Sequence, residues 1–340
     1  ARLLNSTRIV HFIGATLQCQ KADFVTAAPP LTFHSLLCEH LITRKPHQGA
    51  SYMIRNFAIA TGLSALLVAV ATAATIVVPE KSAPESITIA PNGDLILGSM
   101  GSAKIYRVKK GSDKPEVFVD ASAEGAVFFL GVLADVPTST LWACQIYSSP
   151  PNGPRHSALR GFDLKTGGGK FRWELPGNTN LCNDFVVGPD KALYISDTAG
   201  AKIWRLKPGA TVPELFSDDR TLLGIDGITF IGNTLYENNV IFNKLYRVPM
   251  DASGKAGKPV DIWLDEPIKG PDGMRAANGK LFLAENDAGK IDMVTVSGDT
   301  ATVTVLQEGL ATPTAIEPAG DTLWYGERAA DRAHSMPLPK

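Results

Sequence analysis

The chain has 340 residues, of which 44% are hydrophobic and 20% are charged, a composition typical of a globular protein. Its formal net charge is -1, and it has no long basic run with interleaved aromatic residues. We therefore expect no nucleic-acid partner.

The beginning of the chain differs from the rest and has the three parts of a secretory signal. Met53 and Arg55 form a charged start, an apolar run covers 57–70, and Ala71-Thr72-Ala73 has the pattern of a cleavage site. The run is shorter than the roughly 20 apolar residues of a membrane span, so we expect no stable span. We predict an upstream segment, non-native or disordered, at 1–52, a signal peptide at 53–73, and a secreted or periplasmic protein.

Two cysteines, Cys144 and Cys182, follow the predicted cleavage site. In an oxidising compartment they would form a single disulfide, and their places near the same end of adjacent repeats favour this pairing. The alternative is a pair of buried free thiols, since a free cysteine behaves as a small hydrophobic residue. Both alternatives remain open at this point.

A repeated phrase runs along the chain after residue 84. It has a polar residue, a short apolar strand, a tight turn and a second apolar strand that ends on polar residues, as in ESITIAPNGDLILGS and NDFVVGPDKALYISD. Third and fourth short strands follow in most copies, and VDIWL, at 260–264, is the predicted fourth strand of the fourth copy. Four strands in a unit of about 45 residues, repeated six times, predict an all-β, six-bladed β-propeller with antiparallel blades. The leucines that follow each turn give the register: Leu95, Leu141, Leu193, Leu235, Leu281 and Leu323.

The sixth copy ends after its third strand, so it lacks a fourth. We predict that residues 74–78, ATIVV, supply that strand and close the ring, which leaves no open blade edge. Residues 74–340 then form one propeller domain. The second copy has about eight extra residues within 147–156. We interpret them as a loop over the channel mouth, with an inconsequential surface insertion as the alternative.

The residues that open the innermost strands provide the candidate site. Each innermost strand of a propeller begins at the same mouth of the central channel, so these residues converge although they are distant in sequence. Single Asp, Asn or Gly residues before a strand are common in turns, but four oxygen donors at matched positions indicate a site. Hard oxygen ligands favour Ca²⁺, with Mg²⁺, Mn²⁺ or Zn²⁺ as other divalent candidates. The predicted ligands are Glu85, Asn183, Asp226 and Asp272, and Gly131 and Pro313 complete the ring.

A second ring of polar residues lies four positions after each aligned leucine. These side chains either contact the substrate at the mouth or are simply the polar ends of strands, and both interpretations stay open. His156, in the second-copy insertion, is a further candidate for substrate contact. The predicted substrate-binding residues are Gln145, His156, Asp197, Asn239 and Glu285, and Ser99 and Glu327 complete the ring.

Three phrases resemble the senescence-marker-protein/gluconolactonase family of six-bladed propellers, which includes regucalcin: PESITIAPNGDLILGS, CNDFVVGPDKALYISD and GPDGMRAANGKLFLAEN. The resemblance covers nearly all of residues 80–330. It implies one divalent cation, often Ca²⁺, held by a Glu, two Asn and an Asp at the strand openers. Carried over, these are Glu85, Asn183, position 226 and Asp272. The chain departs from the family at blade four, where it has Asp226-Gly227 in place of Asn-Gly, and the extra charge would tighten cation binding, provide a base or alter the chemistry.

Two functions are compatible with this sequence. The first is a metal-dependent hydrolase of lactones or related esters, in which Asp272 or Asp226 acts as general base toward water. The second is a non-catalytic exported propeller that binds a small ligand or a partner protein around a structural Ca²⁺. No G-x-S-x-G motif, phosphate loop or dinucleotide fingerprint follows residue 73, which argues against a serine nucleophile and a nicotinamide cofactor.

Overall fold

The structure, a computed structural model, describes residues 73–340. These residues form six sheets and three single-turn 3-10 helices, Ser122–Glu124, Arg220–Leu222 and Arg328–Ala330, so the predicted all-β fold is confirmed. The predicted segment 1–52 and the predicted signal peptide, except for its last residue, lie outside the described residues. None of the helices described is long and apolar enough to cross a membrane.

The strands are short and follow one another blade by blade. The first strand is β1 (Thr75–Val77). Blade one has β2 (Pro84–Ile89), β3 (Leu95–Ser99), β4 (Lys104–Val108) and β5 (Pro115–Asp120). Blade two has β6 (Ala126–Asp135), β7 (Thr140–Ser148), β8 (Arg155–Asp163) and β9 (Gly169–Glu174). Blade three has β10 (Cys182–Val187), β11 (Leu193–Asp197), β12 (Lys202–Leu206) and β13 (Glu214–Ser217).

Blades four to six continue the same order. Blade four has β14 (Ile225–Ile231), β15 (Thr234–Asn239), β16 (Lys244–Val248) and β17 (Val260–Asp261). Blade five has β18 (Trp263–Leu264), β19 (Pro271–Ala277), β20 (Lys280–Glu285), β21 (Lys290–Ser297) and β22 (Thr300–Glu308). Blade six has β23 (Pro313–Ala319), β24 (Thr322–Glu327) and β25 (Arg332–Pro337).

The ring closes as the sequence predicts. Strand β1 pairs antiparallel with β25, with Ile76 opposite Ala333, and so becomes the fourth strand of blade six. The innermost strands contact one another in order around the channel, and β23 contacts β2 to complete the circle. Blade six is therefore built from both ends of the propeller domain, which ties the described N-terminus to the last blade.

Apolar packing between neighbouring blades holds the ring together. One buried cluster lies at each of the six blade interfaces, because the strands alternate side chains between their two faces. The cluster between blades two and three includes Phe128, Leu159 and Phe185. The same interface contains a disulfide between Cys144 and Cys182, so the first of the two cysteine alternatives is the observed one.

Two segments differ from the prediction. The segment VDIWL, predicted as the fourth strand of blade four, is divided between two blades: β17 pairs with β16, whereas β18 pairs in parallel with β22 of blade five. Blade five therefore has five strands. The extra residues of blade two mostly lengthen β7 and β8, which pair from Thr140–Asp163 to Ser148–Arg155, so only residues 149–154 form the loop.

Candidate functional site

A β-bulge lies at the start of every innermost strand, and these bulges form the site. In each blade the pairing register between the first and second strands shifts at the opener, for example between Pro84 and Ser86 and between Pro271 and Met274. A bulge leaves its extra residue unpaired and re-aims the side chain. The bulged residues include Glu85, Gly131, Asn183, Asp226, Asp272 and Thr314.

The four predicted ligands meet in one small cavity at the axis. Glu85, Asn183, Asp226 and Asp272 all line it, and each comes from a different blade. The position of the sixth opener differs by one from the prediction, because Thr314, and not Pro313, lines the cavity. The cavity volume is about 10 Å³, which is room for about one water molecule or ion.

Glycines let the bulges approach one another this closely. A Cβ atom on Gly131 would lie 2.2 Å from the carbonyl oxygen of Asn183, and one on Gly273 would lie 2.4 Å from that of Thr314. Both distances are far inside van der Waals contact, so any larger residue would push neighbouring blades apart at the mouth. The glycines therefore keep the ring of openers narrow.

Amide side chains hold two of the carboxylates. Asn183 Nδ2 donates a hydrogen bond of 2.8 Å to Asp226 Oδ2 and one of 3.0 Å to Thr198 Oγ1. Asn286 Nδ2 donates a hydrogen bond of 2.8 Å to Asp272 Oδ2. The two amides therefore orient these carboxylates and leave their negative charge in place.

Burial and mutual repulsion raise the pKa values of these acids. Burial raises the pKa of Asp272 well above its usual range, and the charges of Asp226 and Glu85 raise it further. Burial also raises the pKa of Asp226 well above its usual range, and the charges of Glu85 and Asp184 add to that shift. The pKa of Glu85 is raised less, because burial is opposed there by Arg328. The cluster thus favours either protons or a positive charge.

Arg328 places a positive charge at this mouth, which the sequence patterns did not indicate. Its Nη1 donates to Glu85 Oε2 at 2.9 Å, and the Arg328 side chain is 26% exposed. Arg328 lies five positions after the aligned Leu323, and the residues at that position in two other blades, Thr198 and Asn286, also bond to openers. That shared position is the sequence signal that would have identified all three.

A buried ion-pair network closes the channel below the mouth. Arg275 Nη1 and Nη2 donate to the two oxygens of Asp184 at 2.6 and 2.9 Å, and Arg275 Nε donates to Glu317 at 3.3 Å. Although burial opposes the charge, Asp184 and Glu317 raise the pKa of Arg275 above its usual range. Arg275 lines both the central cavity and a depression on the opposite face. It is therefore the floor of the site.

The predicted second ring does not reach the central cavity. Asp197 accepts from the backbone amides of Leu181 and Gly200 and from the indole of Trp204. Asn239 bonds to the backbone of Leu223 and of residues 241 and 242. These side chains are fully buried and hold the loop that enters their own blade. Side chains alternate along a strand, so the position five after each leucine, and not the position four after it, faces the mouth.

The other predicted substrate contacts have similar structural roles. Gln145 is fully buried and accepts hydrogen bonds from Arg160 and Arg172. Glu285 accepts from the backbone amide of Lys269 and lines a different cavity, formed by residues of blade five. His156 is exposed in β8, with its ring 5.4 Å from that of Tyr147, and it does not line the central cavity.

Solved structures with the same fold include several propellers. One is described as a "putative gluconolactonase" (17% identity, TM-score 0.59, covering 78% of this chain and 92% of that one). Another is a calcium-binding protein, regucalcin, from Agrobacterium tumefaciens (19%, 0.58, 75% and 90%). A third is virginiamycin B lyase from Staphylococcus aureus (17%, 0.57, 79% and 99%).

These similar structures belong to proteins with different activities. At sequence identities of 17–19%, the similarity shows the fold alone. The fold is that of the gluconolactonase- and regucalcin-like propellers which the sequence motifs resemble. No protein-family model matches the chain, and no curated protein matches it significantly.

Proposed function

We propose that this protein is a divalent-cation-dependent hydrolase that opens lactones or related esters at the central mouth. One observation carries the proposal: three buried carboxylates and an amide, from four blades, converge on a cavity with room for about one ion. The folds described for a putative gluconolactonase and for regucalcin, a calcium-binding protein, add support from similarity alone.

The residues at the mouth suit a hard cation in their chemistry. Glu85, Asp226, Asp272 and the amide oxygen of Asn183 are all oxygen donors, as Ca²⁺ prefers, and Mg²⁺, Mn²⁺ and Zn²⁺ are the alternatives. In the described residues no three acidic, His or Cys side chains are gathered at metal-ligand spacing. Two basic side chains adjoin the four donors: Arg328 donates to Glu85, and Arg275 lines the cavity. A bound cation would polarise the substrate carbonyl and stabilise its developing oxyanion.

The chain's own residues then account for the movement of protons. We assign Asp272 as the base that removes a proton from water, because it lines the cavity and Asn286 fixes its orientation. The water oxygen bonds to the carbonyl carbon, the ring C–O bond breaks, and the departing oxygen takes the proton to give a hydroxy acid. Asp226 is the second candidate for the base, oriented by Asn183.

Arg328 has a place in this scheme at the entrance to the cavity. Its guanidinium is partly exposed and adjoins Glu85, so it can meet both the substrate carbonyl and the carboxylate of the product. A planar guanidinium is well suited to bind a carboxylate through two parallel hydrogen bonds. We therefore assign Arg328 to binding the acyl end of the lactone.

The experiment is a lactone and ester panel assayed with and without a chelator, together with Ca²⁺ binding by calorimetry. Asp272→Asn is expected to lower kcat/KM at least about 100-fold, because it removes the base. Glu85→Gln is expected to weaken Ca²⁺ binding and lower activity in parallel. The matched control is Asp299→Asn, since Asp299 pairs with Arg247 on the surface and should leave both readouts unchanged.

The outcomes separate the two candidate functions. Ca²⁺ binding that depends on Glu85, without turnover of any substrate, would replace the hydrolase with the non-catalytic calcium-binding propeller. Full lactone turnover by Asp272→Asn and Asp226→Asn would contradict the assignment of the base. The absence of both Ca²⁺ binding and turnover would overturn the proposal as a whole.

A further inference from the structure

A second cavity is formed by residues of blade five, apart from the central mouth. Its volume is about 420 Å³, and Pro267, Val303 and Val305 give it an apolar wall. Its remaining lining is mostly charged, with four acids and two bases among the ten residues: Glu266, Glu285, Asp287, Asp292, Lys269 and Lys290. Among residues 73–340, none of these six forms an ion pair within 4.0 Å.

Asp292 is the unusual member of this lining. Its exposed fraction is 0%, and within the described part of the chain neither carboxylate oxygen has a hydrogen-bond partner. A buried carboxylate without partners is costly, so such a group calls for a physical explanation. Glu285 brings a second buried carboxylate to the same cavity. It lies two residues after Leu283, the residue that pairs with Asp292.

The repeat explains why a cavity exists here. Asp292 lies in the third strand of its blade, opposite Leu283 in the second. The other blades carry a much larger side chain at the same register position, and a short aspartate in its place leaves the volume open. The five larger residues are Tyr106, Arg160, Trp204, Tyr246 and His334.

In three of those blades the larger residue brings a nitrogen to the polar end of the second strand. Arg160 Nη1 donates to Gln145 Oε1 at 2.6 Å, and Trp204 Nε1 donates to Asp197 Oδ2 at 3.2 Å. His334 Nε2 lies 2.7 Å from Glu327 Oε1. The corresponding acceptor in blade five is Glu285. It has the carboxylate of Asp292 at the position where those three blades have a nitrogen.

We propose that the blade-five cavity binds an organic cation of the guanidinium type, whose N–H groups fill the position that Arg160 occupies in blade two. Glu285 and Asp292 would accept its hydrogen bonds in the depth of the cavity. The apolar wall would contact the carbon chain that carries the cation. This inference does not depend on the proposed hydrolase activity, because no residue of the second cavity lines the central one.

The surroundings favour an organic cation over a metal ion. A planar guanidinium satisfies two carboxylates through several N–H donors in a fixed fork. The volume is also that of a small organic molecule rather than of an ion.

The protonation of Asp292 agrees with this interpretation. Burial and the neighbouring Glu285 raise the pKa of Asp292 to about 8, while Lys290 opposes the shift. The remaining charged groups that face the cavity are Glu266, Lys269 and Asp287. The cavity without a ligand therefore retains a proton at neutral pH, which a bound cation would displace.

The test uses the whole protein and agmatine as the probe in titration calorimetry. Wild-type protein is expected to bind agmatine saturably at millimolar concentration or below. Asp292→Asn should weaken that binding at least about tenfold, because it removes one charged acceptor. Asp292→Arg should abolish it, since the side chain of the variant would supply the guanidinium itself. Tetramethylammonium, which has the charge but no N–H group, should bind at least about tenfold more weakly than agmatine.

The control is Asp261→Asn, an exposed carboxylate on blade four that pairs with Lys244 and should leave agmatine binding unchanged. The proposal is overturned by wild-type protein that does not bind agmatine, or by equal affinity in Asp292→Asn. Equal affinity for tetramethylammonium would likewise overturn the role assigned to the N–H groups. A Ca²⁺ site lost in Asp292→Asn, with no agmatine binding, would replace it with a metal site.

Discussion

The propeller buries two groups of carboxylates, and the way it treats them differs. At the central mouth, Glu85 pairs with Arg328, Asp226 and Asp272 accept from amides, and Asp184 below them pairs with Arg275. In the blade-five cavity, Asp292 is equally buried, but among the described residues no group donates a hydrogen bond to it. Each of these acids at the mouth therefore has a hydrogen-bond donor in the protein, and Asp292 does not.

The difference shows how a repeat can produce two kinds of site. At the mouth, six copies contribute to one point, so a charge from one blade is met by side chains from others. Within a blade, each copy must satisfy its own buried polar groups. Where a blade substitutes a short acid for a large donor, as blade five does at Asp292, no other blade can replace the lost hydrogen bond.

The largest expected effect comes from removing Arg275, the cation that pairs with two buried acids below the mouth. Arg275→Met leaves Asp184 and Glu317 buried without their cation, and we expect the free energy of unfolding to fall by about 3–5 kcal/mol. Urea unfolding at pH 7 measures it. Arg247→Met is the matched control, because its partner Asp299 is 56% exposed and the loss should stay below about 1 kcal/mol. Equal losses in the two variants would show that burial does not distinguish these pairs.

A smaller and pH-dependent effect is expected at the uncompensated acid. The pKa of Asp292 in the folded protein, about 8, lies above that of the unfolded chain. The unfolded chain therefore loses this proton first as the pH rises, and wild-type stability falls from about pH 4 until about pH 8. Asp292→Asn removes this loss, so it should match wild type near pH 4 and exceed it by on the order of 3 kcal/mol by pH 6.

Urea unfolding of both proteins across that range is the measurement. A stability difference that does not change with pH would mean that Asp292 is ionised in both states. The cost of burying Asp292 would then not depend on its ionisation.

The smallest effect concerns another uncompensated acid, Glu237. It is fully buried, both of its oxygens lack partners within residues 73–340, and burial raises its pKa well above the usual range. At the same register position the other blades have apolar or aromatic side chains: Leu97, Ala143, Ile195, Leu283 and Tyr325.

We expect Glu237→Leu to raise the free energy of unfolding at pH 7 by about 1–2 kcal/mol, because it replaces a buried acid with a residue that fits the cluster. Thermal or urea unfolding measures this gain. Glu237→Gln keeps the size and polarity and should give less. A destabilised Glu237→Leu protein would indicate that the carboxyl has a binding partner, as Asp292 is proposed to have.

The fold was predictable because its signal is local and repeated. The recurring leucines, turns and short apolar strands fix the number of blades, and the missing strand of the sixth copy points to Ile76 and its neighbours. The openers Glu85, Asn183, Asp226 and Asp272 were predictable for the same reason, since equal positions in equal repeats must converge. The sequence alone could not choose between residues four and five positions after each leucine, because neighbouring side chains of a strand point in opposite directions and the repeat does not show which direction leads to the mouth.

The sequence by itself therefore determined the propeller, its closure and the four oxygen donors at the axis, because each depends only on the period of the repeat. Tertiary structure alone decided the rest. It paired Glu85 with Arg328, 243 positions apart, placed Arg275 as the floor of the channel, and opened a cavity beside Asp292. These features depend on which long side chains meet across blades, and such contacts are set by packing between repeats rather than by the pattern within one.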